Sequence, residues 1–369
     1  MKGTEQSPLA HAPSKLTIDL GAVVTNYQLL VKTCAPAECA AVVKANAYGL
    51  GVTPIVKALD KAGCQTFFVA TLDEGIELRQ ITKHTIYVLN GISCEDPGEF
   101  KAHTLRPVLN DLDQIEILRR YSSDTPPPPA AIHIDTGMNR LGLSQNLLPP
   151  PNKWESLCDG LTVSLIMSHL ACPDESHVEK NHEQLRLFQK LATAFKGISA
   201  SLSASSGIFL GPEWHFDLVR PGFALYGGNP QPATPNPLHP VVRLSAKILQ
   251  CRAVAKGETV GYGATYKSSN DSRVATIAVG YADGFFRSLS GRGTVFIGET
   301  PLPILGRVSM DLIAVDITGV DGVKAGDWVD IVGPYQDVDA LAATAGTIGY
   351  EILTALGQRH QREYVGASA

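Results

Sequence analysis

The sequence predicts an α/β protein of two domains, an eight-stranded parallel barrel followed by a mainly β domain. Three observations predict this fold class. At 369 residues the chain exceeds what one hydrophobic core usually holds. Short apolar runs and helix-like segments alternate eight times up to Tyr226. Beyond a proline-rich stretch at 230–240 the chain becomes β-rich and is punctuated by glycine.

The barrel is predicted from apolar runs of strand length, separated by segments of helical periodicity such as 53–62 and 179–195. Eight alternations of strand and helix are typical of a (β/α)8 barrel of the TIM type, whose functional loops follow the carboxyl ends of the strands. Most of the runs end in polar or small residues, so we expect these side chains to lie together at one end of the barrel. The candidate strands are 39–43, 66–71, 85–90, 106–109, 130–135, 163–169, 201–205 and 218–226.

Composition places the domain boundaries. Residues 1–14 are polar and interrupted by proline, which predicts a flexible N-terminal tail. Residues 15–240 form the predicted barrel domain, which begins with a strand and a helix. Five prolines crowd 230–240 and indicate a crossing between domains. Residues 241–369 form the predicted mainly β domain.

The composition favours a small molecule as the partner. The formal net charge is −5, 18% of the residues are charged, and no run of lysine and arginine resembles a nucleic-acid patch. The N-terminus lacks the apolar core of a signal peptide, and no apolar run reaches the length of a membrane span. These features predict a cytoplasmic protein that binds neither nucleic acid nor membrane.

The sequence gives little support to disulfide, metal or dinucleotide chemistry. The seven cysteines are scattered without CxxC spacing, which predicts reduced and mostly buried thiols. His169, His177 and His182 are spaced by eight and five residues, so they would not share a helical face, and no metal site is predicted. The Gly-x-Gly sequences at 49–51 and 261–263 each lack the third glycine of a dinucleotide-binding loop.

Lys44 is the first candidate for chemistry. It follows the apolar run 39–43, at the point where the chain turns through Asn46, Tyr48 and Gly49. A lysine at the end of a buried strand is either paired at the rim, extended toward water, or held with a lowered pKa as an amine nucleophile. An amine of the last kind condenses with an aldehyde to form a Schiff base.

Seven motifs in order along the chain resemble those of the alanine racemase family, from about Leu16 to Gly366. The resemblance implies a pyridoxal 5'-phosphate (PLP) enzyme, with a barrel and a β domain, that interconverts L-alanine and D-alanine for peptidoglycan synthesis. It also implies a homodimer in which each active site takes residues from the partner's β domain. The motifs are ValValLysAlaAsnAlaTyrGlyLeuGly at 42–51, IleAspThrGlyMetAsnArgLeuGly at 134–142, SerHisLeuAla at 168–171, ValArgProGlyPheAlaLeuTyrGly at 219–227, GlyTyrGlyAlaThrTyr at 261–266, GlyTyrAlaAspGly at 280–284 and GlyArgValSerMetAsp at 306–311.

The resemblance implies two catalytic bases. Racemisation removes a proton from one face of the planar α-carbon and returns a proton to the other face, so two bases on opposite sides satisfy it. Lys44, the Schiff-base lysine, would serve one face, and Tyr262 of the partner subunit would serve the other. The ordinary pKa of tyrosine is about 10, so this phenol needs cationic or hydrogen-bonding neighbours, for which His169 and Arg220 are the family's candidates. From the residues alone, Tyr262 is also compatible with an ordinary loop tyrosine in a β hairpin.

Further residues match cofactor and substrate contacts of the family. Arg220 would face the pyridine nitrogen, where a permanent charge discourages protonation of the ring. Arg140 would pair with the phenolic oxygen of the cofactor and with the substrate carboxylate, the alternative being a surface salt bridge. Met310 of the partner subunit would add a backbone contact to that carboxylate. The other residues that match the cofactor site are Tyr48, His169, Ser205, Gly222 and Phe223, and all of these except His169 match the phosphate cradle.

Two positions near this site depart from the family pattern. Many members have a carbamylated lysine two residues before the aspartate of the AspThrGly motif, and this chain has His133 there. The orientation of Arg140 would then come from the imidazole, from an ion or from another group. Asparagine often precedes the phosphate-binding serine, and this chain has Ala204 at that place. One hydrogen-bonding partner of the cofactor is therefore expected to be missing.

Other functions remain open on the sequence. A racemase of serine or of broader specificity, or a PLP-dependent amino-acid decarboxylase, would use the same scaffold. A decarboxylase needs no second base of the tyrosine type, so the motif around Tyr262 argues against it. A non-catalytic PLP carrier is expected to be a lone barrel, which the residues after Pro240 disfavour.

Overall fold

The computed structural model describes residues 11–93, 97–121 and 126–366. Most of the predicted N-terminal tail, residues 1–10, lies outside these ranges, as does Cys94. The described chain forms two compact units, one of residues 22–239 and one of residues 11–21 together with 240–366. Within the described ranges, no helix has both the length and the apolar character that a membrane crossing needs.

Strands and helices alternate in the first part of the chain, and strands predominate in the second. The helices are Leu20–Cys34, Val52–Lys61, Leu72–Arg79, Pro97–Ala102, Leu112–Tyr121, Glu179–Ala194, Val338–Ala345 and Gly349–Thr354. The strands are β1 Ser14–Asp19, β2 Glu38–Cys39, β3 Ala41–Val42, β4 Thr66–Val69, β5 Thr85–Val88, β6 Arg106–Leu109, β7 Ala130–His133, β8 Val163–Met167, β9 Ser199–Ser201, β10 Leu218–Val219, β11 Val242–Val254, β12 Thr259–Val260, β13 Tyr266–Lys267, β14 Ser272–Ile277, β15 Thr294–Ile297, β16 Thr300–Leu305, β17 Ile313–Asp316, β18 Trp328–Val332 and β19 Gln361–Val365.

The unit of residues 22–239 is a closed parallel barrel. Seven of its strands lie side by side in the order β3-β4-β5-β6-β7-β8-β9. β10 follows β9, because the N–H of Asp217 donates to the carbonyl of Ala200 (3.0 Å), and it pairs in parallel with β2. The hydrogen bond from the N–H of Val42 to the carbonyl of Pro221 (2.8 Å) closes the ring. The predicted (β/α)8 barrel is confirmed.

Burial on both faces explains why the barrel strands are continuous apolar runs. Every residue of β4 and β7 is buried, and Phe67 and Phe68 are fully inaccessible. Parallel strands covered by helices have no face in water, so their sequences do not alternate. The polar side chains of this unit are consequently concentrated where the strands end.

The second unit is built around one curved sheet. Its strand order is β14-β17-β16-β15-β18-β11-β1-β19, and β14 also pairs with β11. This second pairing is possible because β11 has 13 residues, long enough to reach β18 with one part and β14 with the other. Neighbouring strands are antiparallel except for β1 and β19. The predicted mainly β architecture of this part of the chain is confirmed.

β1 lies in this second sheet, whereas the predicted boundary at residue 15 assigned it to the barrel. It pairs antiparallel with β11 and parallel with β19. Its buried and half-buried residues alternate, and Leu16 and Ile18 are fully inaccessible. Such alternation suits a sheet with one face in the core, and a barrel strand needs both faces apolar. Residues 11–21 therefore belong to one unit, and the chain enters the other within the helix Leu20–Cys34.

Among the described residues, the cysteines form no disulfide and the candidate metal ligands form no cluster. The six cysteines outside the undescribed segments are free thiols, and Cys34, Cys39 and Cys64 are buried. In the same part of the chain, no three His, Cys, Asp or Glu side chains are placed to hold a metal ion. The polar groups at the ends of the barrel strands are the candidate site.

Candidate active site

Lys44 lies at the carboxyl end of a barrel strand, as the sequence predicted. Only Val43 separates it from β3, and the N–H of Val43 still donates to the carbonyl of Phe68 on β4 (2.9 Å). The lysine is half-buried. Burial and then the charge of Arg140 lower the pKa of Lys44, and Glu74 acts in the opposite direction. This lysine is therefore a more available amine than an exposed one.

The chain leaves Lys44 through a left-handed turn. Residues 45–48 have φ angles between 51° and 55°, although none of them is glycine. Left-handed backbone costs an L-residue about 1–2 kcal/mol, so other contacts must stabilise this turn. The N–H of Ala45 donates to Oε1 of Glu74 (2.6 Å), and Oδ1 of Asn46 accepts from the N–H of Val52 (2.7 Å). The turn buries Tyr48 beside the mouth of the barrel.

Glu74 is a site residue that the sequence reasoning missed. Its Oε2 accepts from the N–H of Ala70 (2.7 Å), and it forms a capping box with Thr71 at the start of the helix Leu72–Arg79. The signal was present, because Thr-x-x-Glu before a helix is a known capping pattern. One carboxylate thus holds both the end of β4 and the residue after Lys44.

A cradle of backbone N–H groups lies between the last two barrel strands and Tyr48. Oγ of Ser205 accepts from the N–H groups of Gly222 (3.0 Å) and Ala224 (3.1 Å). Phe223, between these two residues, is buried. A Cβ atom at Gly222 would overlap the hydroxyl of Tyr48, so glycine is required for this close approach. The predicted phosphate residues Tyr48, Ser205, Gly222 and Phe223 are therefore brought together.

Arg220 is a buried cation that has only neutral partners. Its guanidinium donates to the carbonyls of Ser168 (2.6 Å) and Leu202 (3.2 Å) and to Oγ of Ser201. Burial lowers the pKa of Arg220 to about 9, so it stays protonated at neutral pH. Among the described residues no carboxylate pairs with it, which leaves its charge available to an electron-rich group of a ligand. Sequence reasoning found Arg220 but not Ser201.

His169 follows β8 and is half-buried. The residue before it is Ser168, whose carbonyl accepts a hydrogen bond from Arg220. The carbonyl of His169 accepts from Nε2 of Gln184 (2.9 Å), which fixes the backbone of the loop. Burial, Arg220 and Arg140 lower the pKa of His169 well below its ordinary range. The imidazole is therefore neutral at physiological pH, and it can donate one hydrogen bond and accept another.

Arg140 is carried by a loop whose shape is set by Asp135. The two carboxylate oxygens of Asp135 accept from the N–H groups of Gly137 (2.8 Å), Met138 (2.9 Å) and Asn139 (2.9 Å). Arg140 itself is exposed, and within the described residues no carboxylate pairs with it. The surface salt bridge considered above is thus not formed there. Its charge nevertheless acts on Lys44, His133 and His169, so it lies near the mouth.

Tyr262 and Met310 belong to the other unit, where both are presented to solvent. Tyr262 is 71% exposed and sits in a turn between Gly261 (φ 77°) and Gly263 (φ 73°). Met310 is 54% exposed. The ring of Tyr262 therefore does not pack in the core of its own unit. Both residues lie in the unit of residues 240–366.

Comparisons with known proteins give the family context of this geometry. Family models described as "Alanine racemase, N-terminal domain" and "Alanine racemase, C-terminal domain" match residues 18–230 and 241–364. Alanine racemase of Acidiphilium cryptum is 48% identical over 94% of this chain and 97% of that protein. A catabolic alanine racemase of Agrobacterium fabrum is 45% identical over 99% of this chain and 95% of that protein. The crystal structure of alanine racemase from Bartonella henselae, with covalently bound pyridoxal phosphate, has a TM-score of 0.93 at 40% identity and covers 96% of this chain and 100% of its own.

Proposed function

Because the chain belongs to the alanine racemase family, we propose that it interconverts L-alanine and D-alanine with PLP. The observation that carries the proposal is Lys44, a half-buried amine of lowered pKa at the mouth of a closed barrel, beside a backbone cradle of anion-binding type. We assign the reaction to the cytoplasm, where D-alanine would supply peptidoglycan synthesis.

The residues of the barrel fit PLP. Lys44 would hold its aldehyde, and Tyr48, Ser205 and the backbone at Gly222 and Phe223 would hold its phosphate. Arg220, a buried cation without a carboxylate partner in the described chain, would pair with the pyridine nitrogen, and it is itself held by the carbonyl of Ser168, the residue before His169. When bound, the pyridine ring withdraws electrons from the substrate α-carbon and so makes its hydrogen removable.

Gly222→Ala is expected to weaken PLP binding about tenfold or more. The added Cβ would overlap the Tyr48 hydroxyl and displace either the phenol or the backbone N–H, and a hydrogen bond to a charged group contributes about 1.5–3 kcal/mol. The dissociation constant is measured by titrating the apoprotein with PLP. Gly98→Ala is the matched control, because a Cβ at Gly98 meets nothing within 4 Å. Equal affinities of the two variants would contradict the assignment of the cradle.

Two bases then move the proton. Lys44 serves one face of the α-carbon, and Tyr262 of the partner subunit serves the other, so the active unit is a homodimer with shared sites. The ordinary pKa of a phenol is about 10, and the cationic barrel mouth formed by Arg220, Arg140 and Lys44 favours its ionised form. His169, which is neutral there, relays hydrogen bonding between the phenol and Arg220. The exposure of Tyr262 supports this sharing, because it leaves the ring free to enter another chain.

Arg140 binds the substrate carboxylate. A guanidinium matches a carboxylate with two parallel hydrogen bonds, which fixes the orientation of the α-carbon as well as the affinity. The backbone at Met310 of the partner subunit adds a second contact. Alanine is favoured over larger amino acids as substrate because the family's members act on it.

One assay tests the function and its alternatives. The purified protein is incubated separately with L-alanine, D-alanine and L-serine, and the enantiomers and any amine product are separated over time. We expect alanine to approach equal amounts of both enantiomers. Faster conversion of serine would indicate the broader racemase, and release of an amine with carbon dioxide would indicate a decarboxylase. Borohydride treatment followed by peptide mass analysis should attach the reduced cofactor to Lys44; a different lysine would overturn the assignment.

A further inference from the structure

His133, at the end of β7, has a defined tautomer. Its Nδ1 lies 2.9 Å from Oδ1 of Asn110, and both side chains are buried. The amide nitrogen of Asn110 already donates to the carbonyls of Leu89 (3.0 Å) and Val108 (2.8 Å). Oδ1 of Asn110 must therefore be the acceptor, and Nδ1 of His133 must carry the proton. The second ring nitrogen, Nε2, is left as an acceptor.

The imidazole is also neutral. Burial and the charges of Arg220 and Arg140 lower the pKa of His133 to about 4, against the opposite effect of Asp135. The Asp135 carboxylate is occupied by the three N–H groups of its own loop, so it does not pair with the ring. At neutral pH, Nε2 consequently has a free lone pair, and the described residues supply it with no hydrogen-bond partner.

The loop that carries Arg140 folds back over this ring. The N–H of Leu143 donates to the carbonyl of His133 (2.8 Å), and the N–H of Asp135 donates to the carbonyl of Leu143 (2.9 Å). A Cβ at Gly142 would lie 3.1 Å from Cγ and 3.2 Å from Cδ2 of His133. The Cδ2 edge of the ring, which ends in Nε2, therefore faces the loop two residues beyond Arg140.

We propose that His133 is the positioning residue of Arg140. The two side chains are not hydrogen-bonded in the structure; when the substrate carboxylate is bound, Nε2 accepts an N–H of the guanidinium and so directs its remaining donors at that carboxylate. The inference rests on the proposed function, because it assumes that Arg140 binds that carboxylate. Asn110, which holds the ring through Nδ1, therefore becomes part of the support of Arg140.

Steady-state kinetics of four variants test the proposal. We expect His133→Phe to raise KM for alanine about 10–100-fold with a smaller loss of kcat, since hydrogen bonds to charged groups contribute about 1.5–3 kcal/mol. His133→Gln keeps an acceptor near the position of Nε2 and should recover most of the loss. In an Arg140→Ala background, His133→Phe should change KM less than twofold, because the shared interaction is already absent. His177→Gln, at an exposed histidine of the same unit, is the control.

Two outcomes would overturn the proposal. The first is that His133→Phe and His133→Gln raise KM equally. The second is that His133→Phe raises KM as much in the Arg140→Ala background as it does in the wild type. Either result would mean that the ring acts by packing alone. A measurement independent of activity covers the case in which a variant fails to fold. Nitrogen-15 spectra of the histidine-labelled wild-type enzyme should show Nδ1 of His133 protonated and Nε2 unprotonated at pH 7, and the opposite tautomer would exclude the proposed acceptor. A wild-type protein that does not racemise alanine would instead defeat the proposed function.

Discussion

Lys44→Ala is expected to lower the rate of alanine racemisation by more than about 10⁴-fold. The substitution removes both the amine that holds the cofactor and one of the two bases, and a single positioned base contributes about 10²–10⁴-fold. The polarimetric rate with either enantiomer measures the loss. Borohydride reduction in the same samples reports whether the cofactor is still attached to the chain.

The control separates chemistry from stability. Lys57→Ala changes an exposed lysine on the helix that follows the left-handed turn, so its rate should equal that of the wild type. Lys44 is only half-buried, and its truncation should leave the unfolding temperature nearly unchanged. If Lys44→Ala retained more than about one per cent of the wild-type activity, less would be lost than one missing base alone removes, and another amine would have to hold the cofactor.

The barrel was predictable because most of its strands are predominantly apolar runs. Runs such as 66–71 and 85–90 contain β4 and β5 and extend by two residues into the loops. The last two runs, 201–205 and 218–226, extend four residues beyond β9 and seven beyond β10. The second run contains the 3-10 turn Phe223–Tyr226, whose four residues are buried. Hydrophobicity alone cannot distinguish such a turn from strand.

The sheet to which β1 belongs was harder to predict from the sequence. Its alternation of apolar and polar residues correctly indicates a half-buried strand, but the pattern does not state which sheet provides the other strands. Its partners β11 and β19 lie more than 220 residues away along the chain. Pairing of strands over that distance depends on how the sheet packs in the tertiary structure, and a local sequence pattern carries no information about it.

In the site, the motifs located the reactive groups but not the side chains that orient them. Glu74 is 29 residues from Ala45, and His133 is 23 residues from Asn110. Each pair bridges the ends of adjacent parallel strands, β3 with β4 and β6 with β7. Once the strand order is known, such contacts are expected, because adjacent parallel strands end at one edge. Without an order, the polar residues after each run are only a set of candidates.

Tyr262→Phe is expected to lower kcat about 10²–10⁴-fold while leaving the cofactor attached to Lys44. L-alanine and D-alanine have equal free energies in water, so kcat/KM must fall by the same factor in both directions. The isotope effect of deuterium at the α-carbon need not change equally. In one direction the phenol would remove the deuteron, and in the other direction it would return a proton from solvent. Tyr335→Phe, at another exposed tyrosine of the same unit, is the control.

Mixing the two inactive variants decides whether the sites are shared. In a hybrid of a Lys44→Ala chain and a Tyr262→Phe chain, one site combines the intact lysine of the second chain with the intact tyrosine of the first. Random exchange of subunits should restore about a quarter of the wild-type rate, since half of the dimers are hybrids and each has one working site of two. If both bases came from one chain, no hybrid site would hold both. The mixture would then show only the sum of its parents, and Tyr262 would have to act within its own subunit or not at all.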